Sequence, residues 1–269
     1  MTQAATVAAP IRFTGVGLHT GAAGAVEIRP ADCGAGVSFL TGGERIPATA
    51  DYASESPLAT VMRRNGAQIS TVEHVLSALL ASGVSDAEIA VDGPEIPILD
   101  GSAKPYVHAI DETGLRMYDS ARPVFAPDRA LEFRDGDRAV IVLPSDVFRV
   151  RFVGDYPAPI GTHYFDGEIS PQVYREQIAG ARTFAFLRDV EAMRAAGLAR
   201  GGSLDNALVY DEEGPMQPLQ WPNEVVRHKV LDLIGDFSLL GAWPQCEVIA
   251  IKSGHAMHTR LINELRNRG

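Results

Sequence analysis

Residues 70–93, STVEHVLSALLASGVSDAEIAVDG, decide the fold because they join a helix pattern, a helix stop and a strand pattern. From Val72 the apolar residues recur at the spacing of one helix face, which predicts an amphipathic helix over residues 71–81. Gly83 is placed to end this helix, and Ser70 or Thr71 to cap its start. The β-branched stretch that follows predicts a strand over residues 87–91.

Residues 224–254, EVVRHKVLDLIGDFSLLGAWPQCEVIAIKSG, repeat this arrangement. Each copy reads V-x-H, an apolar helix, a glycine, and a strand that begins with E-I or E-V-I. Such self-similarity is typical of duplicated supersecondary units, so we infer two domains of similar build. Prolines interrupt the pattern within residues 120–128, which divides the chain into domains 1–121 and 122–269. The alternative is a chance resemblance between two helix–strand pairs.

The other patterns predict further elements of both kinds. We expect strands at 25–28, 139–143 and 148–153, and helices over 175–196 with a break near Thr183, over 224–240 with Asn223 as its cap, and from Ala256 to the end.

The helices of both repeated segments, 70–93 and 224–254, carry side chains that can bind a metal ion. His228 and Asp232 lie at i and i+4, one turn apart on the same helix face, and His74 holds the equivalent position in the first helix. Face-to-face packing of the two helices would bring one histidine from each half together. Catalytic zinc sites use three nitrogen or oxygen ligands and leave the fourth position to water. We therefore predict a zinc site at His74, His228 and Asp232, a ligand set that also suits Fe²⁺.

Two more groups fit a hydrolytic reaction. Glu73 neighbours His74 and can take the proton of a water that zinc activates, or it can close a capping box with Ser70. His255 follows a glycine at the end of the second echoed strand and can act as a cationic acid, held in place by Asp236. The alternatives are a half-exposed helix residue for His74 and an exposed loop residue for His255.

Composition excludes several classes of function. The net charge of −10 argues against nucleic-acid binding. Two distant cysteines, Cys33 and Cys246, indicate reduced thiols and neither a thiolate zinc site nor a disulfide framework. There is no secretory signal pattern and no apolar run of ~18 residues, so we expect a cytoplasmic protein without a transmembrane segment. We also expect a monomer.

The glycine-rich motif GVGLHTG at 15–21 precedes a predicted strand and not a helix, which excludes a dinucleotide-binding loop. We expect a tight turn here, with His19 lining a site.

Seven motifs resemble the UDP-3-O-acyl-N-acetylglucosamine deacetylase family, zinc amidases of lipid A synthesis. They are GVGLHTG at 15–21, STVEHVLSAL at 70–79, GPEIPILDGSAKPYV at 93–107, ARTFAFLRDVE at 181–191, GLARGGSLDNALV at 197–209, VRHKVLDLIGD at 226–236 and KSGHA at 252–256. Some relatives carry a cysteine shortly before the TVEH motif, where this chain reads Leu58-Ala59-Thr60.

The resemblance implies an α+β fold of two similar two-layer α/β sandwich domains that face each other, each with an insert, and an active site at their interface. The insert at about 189–210 would form a passage for the acyl chain. The implied reaction is zinc-dependent hydrolysis of the N-acetyl group of UDP-3-O-acyl-N-acetylglucosamine, giving the free amine and acetate in the committed step of lipid A biosynthesis.

The resemblance also implies roles for individual residues. The metal ligands would be His74, His228 and Asp232. The catalytic groups would be Glu73 as base, His255 as acid, Asp236 behind it, and Thr183 at the oxyanion. The substrate contacts would be Phe184 and Asp189 at the sugar and acyl chain, and Lys229 and Lys252 at the diphosphate. Loose matches at 40–64 and 122–170 leave two alternatives open, a deacetylase of another N-acetylated nucleotide sugar and a zinc-stabilised binding module without catalysis.

Overall fold

The computed structural model describes residues 3–54, 56 and 58–268, so the outermost ends of the two predicted domains lie outside it. The fold is α+β, as expected. Its α-helices are α1 Glu73–Ser82, α2 Lys104–Thr113, α3 Pro171–Gln177, α4 Leu187–Ala195, α5 Glu224–Phe237 and α6 His255–Arg268. Among the described residues, no helix is long and apolar enough to cross a membrane.

The strands fall into two large sheets and several short pairings. In chain order they are β1 Gln3–Val7, β2 Ile11–Val16, β3 Ala23–Pro30, β4 Val37–Thr41, β5 Glu44–Pro47, β6 Ala53–Ser54, β7 Val61–Arg64, β8 Ala67–Ser70, β9 Ala87–Asp92, β10 Leu115–Ala121, β11 Val124–Phe125, β12 Leu131–Asp135, β13 Arg138–Pro144, β14 Arg149–Asp155, β15 Thr162–Glu168, β16 Phe184–Phe186, β17 Leu208–Tyr210, β18 Trp243–Pro244 and β19 Cys246–Ile251.

The two five-stranded sheets have the same topology. Their strand orders are β2-β3-β9-β4-β5 and β12-β13-β19-β14-β15. In each, the last strand along the chain lies at the centre, antiparallel to the second strand and parallel to the third. The central strands β9 and β19 are the strands of the two echoed sequence segments. The two similar sequence segments therefore belong to a repeated structural unit. The domain boundary between residues 121 and 122 stays a prediction.

Helices α1 and α5 lie between the sheets and share their core. Helix α1 packs against α5, while α5 also contacts β14 and β15, and α6 contacts β12 and β13. One cluster of buried apolar side chains runs from Phe39 in the first sheet through Leu76 and Phe237 on the two helices to Phe152 in the second sheet. Residues on α1 and α5 are consequently fixed by packing from both halves of the chain.

The start of α1 differs from the capping box that its sequence allows. Thr71 has a φ of +60° and Val72 occupies the N-cap position without a side-chain cap bond. The Glu73 carboxylate accepts a hydrogen bond from the backbone N–H of Thr60 at 2.9 Å instead of reaching back to Ser70. The predicted capping box does not form, because the distant backbone N–H of Thr60 binds the Glu73 carboxylate instead. Gly83 ends the helix with a left-handed φ of +91°, as predicted.

The predicted helical segment over 175–196 is interrupted near Thr183, as expected, but the helices on either side of the break are shorter than predicted. Helix α3 ends at Gln177, and β16 precedes the short α4. The N–H of Thr183 donates to the carbonyl of Gly101 at 2.8 Å, and its own carbonyl accepts from Leu208 N–H at 2.7 Å. These bonds to distant backbone remove the helical option at Thr183. Asn223 does hold the N-cap position of α5, but its side chain bonds Tyr164 and Arg227 and leaves the helix N–H groups uncapped.

Candidate metal centre and active site

The structure brings His74, His228 and Asp232 together. His74 lies in the first turn of α1, and the other two lie one turn apart on α5. Asp232 Oδ1 is 3.4 Å from His228 Nε2 and 3.9 Å from His74 Nε2. Since all three residues are at most 4 % exposed, neither helix presents them to bulk water. The half-exposed alternative for His74 is therefore wrong.

A glycine lets the two helices come close enough for this arrangement. A Cβ added at Gly235 of α5 would lie 2.8 Å from the carbonyl carbon of Glu73 and 2.9 Å from its Cα. Carbon atoms in good contact are ~3.5–4.0 Å apart, so no larger residue fits without moving a helix. The bare backbone at Gly235 thus sets the position of the first turn of α1, which carries Glu73 and His74.

Neighbouring groups orient these side chains for binding a cation. The Nδ1 atom of His228 lies 3.0 Å from the carbonyl oxygen of Ala181, which makes Nδ1 the donor and turns the lone pair of Nε2 toward Asp232. Asp232 Oδ2 accepts from Lys229 Nζ at 2.6 Å. Within the described chain, its Oδ1 is buried with no hydrogen-bond partner. Three lone-pair donors therefore converge on one point.

Burial sets the protonation of the two histidines. It lowers the pKa of His74 to about 3 and lowers that of His228 as well, so both are neutral imidazoles at neutral pH. Burial opposes the charged form of Asp232, but its interactions with the His228 imidazole and the Lys229 ammonium outweigh burial and hold its pKa below the ordinary value. Neutral imidazole and ionised carboxylate are the forms that bind divalent metals.

Glu73 and His255 lie beside this cluster. Their side chains are 3 % exposed each, and Glu73 Oε1 is 3.9 Å from His255 Nε2. Burial raises the pKa of Glu73 to about 7. Burial opposes the charged form of His255, but Asp236, Glu73 and Asp232 outweigh it and raise its pKa to about 9. His255 begins α6 and is not an exposed loop residue, so that alternative is wrong.

Asp236 holds His255 in place together with two residues that the sequence did not indicate. Its carboxylate lies 2.9 Å from His255 Nδ1 and 2.6 Å from His258 Nδ1, and it accepts a short hydrogen bond from the Thr60 hydroxyl. His258 Nε2 in turn contacts Ser253 Oγ at 2.8 Å. The i, i+3 spacing of His255 and His258 was the signal for the second histidine, whereas nothing local marks Thr60.

The predicted substrate residues mostly line one cavity next to the candidate metal ligands. It has a volume of about 510 Å³, and its walls are largely apolar side chains from residues 183–216. The predicted residues in its walls are His19, Thr183, Phe184, Asp189 and Lys229. The Lys229 ammonium lies 5.8 Å from the centre of the Phe184 ring, so a cation and an aromatic face meet between the cavity and the candidate metal ligands.

Lys252 stands apart from this group. It is not among the residues that line the cavity, and its Nζ forms ion pairs with Asp137 at 2.9 Å and Asp155 at 2.7 Å. Any anion that it binds must compete with two carboxylates. Its contact with a diphosphate stays a prediction.

Glu95 is a further residue that the sequence reasoning missed. Its carboxylate, 2 % exposed, accepts hydrogen bonds from the backbone N–H of His19 at 2.9 Å, from Thr20 N–H at 2.8 Å and from the Thr71 hydroxyl at 2.8 Å. It therefore ties the GVGLHTG turn to the residue that precedes α1 by two positions. A carboxylate inside the apolar stretch 94–98 was the signal that could have revealed it.

Comparison with known proteins gives a consistent result. The sequence profile of a family described as "UDP-3-O-acyl N-acetylglycosamine deacetylase" matches residues 4–267. A protein of Anaeromyxobacter dehalogenans is 41 % identical over 265 residues, which cover 97 % of this chain and 86 % of that protein. One of Anaeromyxobacter sp. (strain Fw109-5) is 43 % identical, with coverages of 97 % and 87 %. One of Syntrophotalea carbinolica is 40 % identical, with coverages of 98 % and 88 %. All three are called UDP-3-O-acyl-N-acetylglucosamine deacetylase.

Proposed function

The chain belongs to the UDP-3-O-acyl N-acetylglycosamine deacetylase family, and on that basis we propose that it works through one metal ion held by His74, His228 and Asp232. It is a deacetylase of UDP-3-O-acyl-N-acetylglucosamine in lipid A biosynthesis. The reaction hydrolyses the acetamide, with water adding to the acetyl carbon, so that acetate leaves and the sugar keeps a free amine.

The observation that supports the metal most directly is the state of Asp232. Its Oδ1 is buried and, among the described residues, faces two histidine Nε2 atoms without a hydrogen bond. An unpaired buried carboxylate oxygen is costly, and a cation between the three atoms would remove that cost. Two imidazoles and one carboxylate suit Zn²⁺, which we propose as the bound ion; Fe²⁺ is the alternative.

A divalent ion in this position lowers the pKa of a bound water and polarises a carbonyl group. Glu73 is the proposed general base. The backbone N–H of Thr60 occupies its Oε2 at 2.9 Å, which leaves Oε1 to take a proton from the attacking water. Burial raises the pKa of this carboxylate above its ordinary value, which keeps it basic enough for the task beside a cation.

His255 is the proposed acid and electrostatic partner. Because Asp236 accepts from its Nδ1, the second N–H of the charged ring is at Nε2, on the side of Glu73 and Asp232. This proton can stabilise the oxyanion and then pass to the departing amine. Thr183 lines the adjoining cavity, and its hydroxyl is proposed as a further donor to the oxyanion.

The adjoining cavity is the proposed substrate site. Lys229, Phe184, Asp189 and His19 would contact the sugar, the diphosphate and the start of the acyl chain, and Lys252 would meet the diphosphate by exchanging its carboxylate partners. The acyl passage would run through residues 189–210, where Val190, Met193 and Leu204 line the cavity. We further propose domains 1–121 and 122–269, a monomer, and a location in the cytoplasm.

The test combines metal analysis with acetate release. The purified protein should contain about one zinc or iron per chain and release acetate from the 3-O-acylated UDP-sugar faster than from the unacylated one. Equal turnover of both sugars would favour a deacetylase of another nucleotide sugar, and no release with metal bound would favour a binding module.

Substitution tests the role of the base. Glu73→Ala should lower kcat by roughly two to four powers of ten and leave the metal bound. Glu176→Ala, which changes an exposed glutamate on α3, is the matched control and should keep full activity. A fully active Glu73→Ala enzyme would rule out the assignment of the base.

A further inference from the structure

A second cavity lies on the far end of α1 and shares no lining residue with the first. Its volume is about 440 Å³, within the range of ~300–1,000 Å³ that small-molecule sites occupy. Leu76, Leu79 and Leu80 of α1 form an apolar wall. The other lining residues come from other parts of the first half, from the segment that joins the halves and from the second half, and Arg122 and Trp243 are the largest side chains among them.

Arg122 is the feature that the deacetylase reaction does not explain. It is 5 % exposed and is the one buried arginine or lysine among the described residues. Its Nε and Nη1 atoms are buried and find no hydrogen-bond partner in the described chain. The guanidinium lies against the ring of Trp243, whose centre is 4.5 Å from the guanidinium carbon. Burial lowers the pKa of Arg122 only to about 10, so the group keeps its charge at neutral pH.

Other arginines with a buried unpaired nitrogen differ from Arg122 in one respect. Arg149 and Arg151 each form an ion pair with Asp166, and Arg266 forms one with Asp51. The carboxylate in the wall of the cavity, Asp86, is already used, because it accepts from Gly36 N–H at 2.8 Å and from the Ser85 hydroxyl at 2.6 Å. Arg122 therefore has a buried charge that no described carboxylate balances.

We propose that this cavity is a binding site for an amphipathic oxyanion, a small molecule with a carboxylate or phosphate head and an apolar body. The head would pair with the Arg122 guanidinium, whose planar fork matches both groups, and would remove the cost of an unpaired buried charge. The body would lie along the leucines of α1. Because the walls come from both halves of the chain, the ligand would bridge them at a distance from the candidate metal ligands.

Trp243 offers a local reporter for the test. The chain has two tryptophans, and the other, Trp221, packs against Arg227 and does not line this cavity. In a Trp221→Phe background, the emission of Trp243 is followed during titration with octanoate, octyl phosphate and octanol. Octanoate or octyl phosphate should give a saturable change at a concentration at least about tenfold lower than octanol needs. The stronger of the two identifies the head group.

Variants then assign the effect to Arg122. Arg122→Met should weaken octanoate about tenfold to a hundredfold and leave octanol unchanged, whereas Arg12→Met, at an exposed arginine, should change neither. Should Arg122→Met fail to fold, Ala35→Phe provides a second route, because it narrows the cavity at an exposed wall residue and should abolish octanoate binding.

Three results would overturn the proposal: equal affinity for octanoate and octanol, no saturable response to any probe, or an octanoate affinity that Arg122→Met leaves intact. Octanoate bound in the first cavity would not contact Trp243, so the reporter separates the two sites. The readout needs neither metal nor turnover, and its failure would leave the proposed deacetylase reaction untouched.

Discussion

Replacing Gly235 by alanine sets two effects of known size against each other. Alanine in a helix interior is favoured over glycine by ~0.8–1.0 kcal/mol, so helix propensity alone predicts a more stable protein. Packing predicts the reverse, because the new Cβ would lie 2.8 Å from the Glu73 carbonyl carbon and 2.9 Å from its Cα. Restoring normal carbon–carbon separations requires α1 to move by about 1 Å.

The movement is expected to cost more than propensity gains. Overpacking of a core typically costs ~1–3 kcal/mol, and here the obstacle is helix backbone, which cannot rotate away as a side chain would. A net loss of up to about 2 kcal/mol in the free energy of unfolding should result. The same movement of about 1 Å would carry His74 and Glu73 on α1 away from the site residues on α5. A misplacement of that size can lower a rate by ~100-fold.

The assay measures three quantities on Gly235→Ala: the free energy of unfolding in urea, the metal content after dialysis, and kcat/KM for acetate release. All three should fall. Glu176→Ala, at an exposed position of α3, controls for the handling of the protein and should change none of them. A Gly235→Ala enzyme that is more stable and fully active would show that the approach of the two helices does not position the site.

Three further outcomes follow from the geometry. Glu95→Gln puts an amide NH₂ among the N–H groups of His19 and Thr20, so kcat/KM should fall at least about tenfold. The control Glu88→Gln loses only ion pairs of partly exposed side chains, so its kcat/KM should stay within about twofold of the unchanged enzyme. Equal effects of the two substitutions would contradict a positioning role for Glu95. His258→Ala removes one donor to Asp236 and should lower kcat about tenfold with KM and metal content unchanged, and His258→Asn, which keeps an amide donor, should recover part of it; no recovery would indicate a packing role alone. In a pH profile, kcat/KM should rise as Glu73 loses its proton and fall as His255 loses its own. The values of about 7 and about 9 are upper limits for the two midpoints, because a bound cation lowers both pKa values; a rising limb centred well above pH 7 would exclude Glu73 as the base.

The clustering of His74, His228 and Asp232 could be predicted because the sequence pattern behind it is local and occurs twice. His228 and Asp232 share a helix face by their spacing alone, and the echo of V-x-H between two helix–strand units paired His74 with them. The structure explains why the echo was informative, since β9 and β19 are the centres of two sheets with the same topology. Equivalent positions on α1 and α5 face each other when those units pack together.

The supporting residues could not be predicted because their partners are far away in the chain. Glu95 bonds His19 across 76 residues, and the Thr60 hydroxyl reaches Asp236 across 176. No periodicity encodes such contacts. The same cause explains the wrong capping box, since the Glu73 carboxylate fitted a local pattern but found a better-placed partner elsewhere in the fold.

The strained residue before α1 shows how these distant contacts serve the site. Thr71 has a φ of +60°, a conformation that costs a β-branched residue free energy and persists only where its surroundings enforce it. Its hydroxyl is held by Glu95 at 2.8 Å, and Glu95 is held by the GVGLHTG turn, which also carries His19 into the cavity. Two residues later the chain reaches Glu73, whose carbonyl is pressed against Gly235. The proposed base and one proposed metal ligand are therefore fixed from both sides, by a buried carboxylate in the first half and by bare helix backbone in the second. A metal ion bound there would add its binding free energy to the packing of α1 on α5, so removal of the metal should loosen the contact between the two halves as well as stop the reaction.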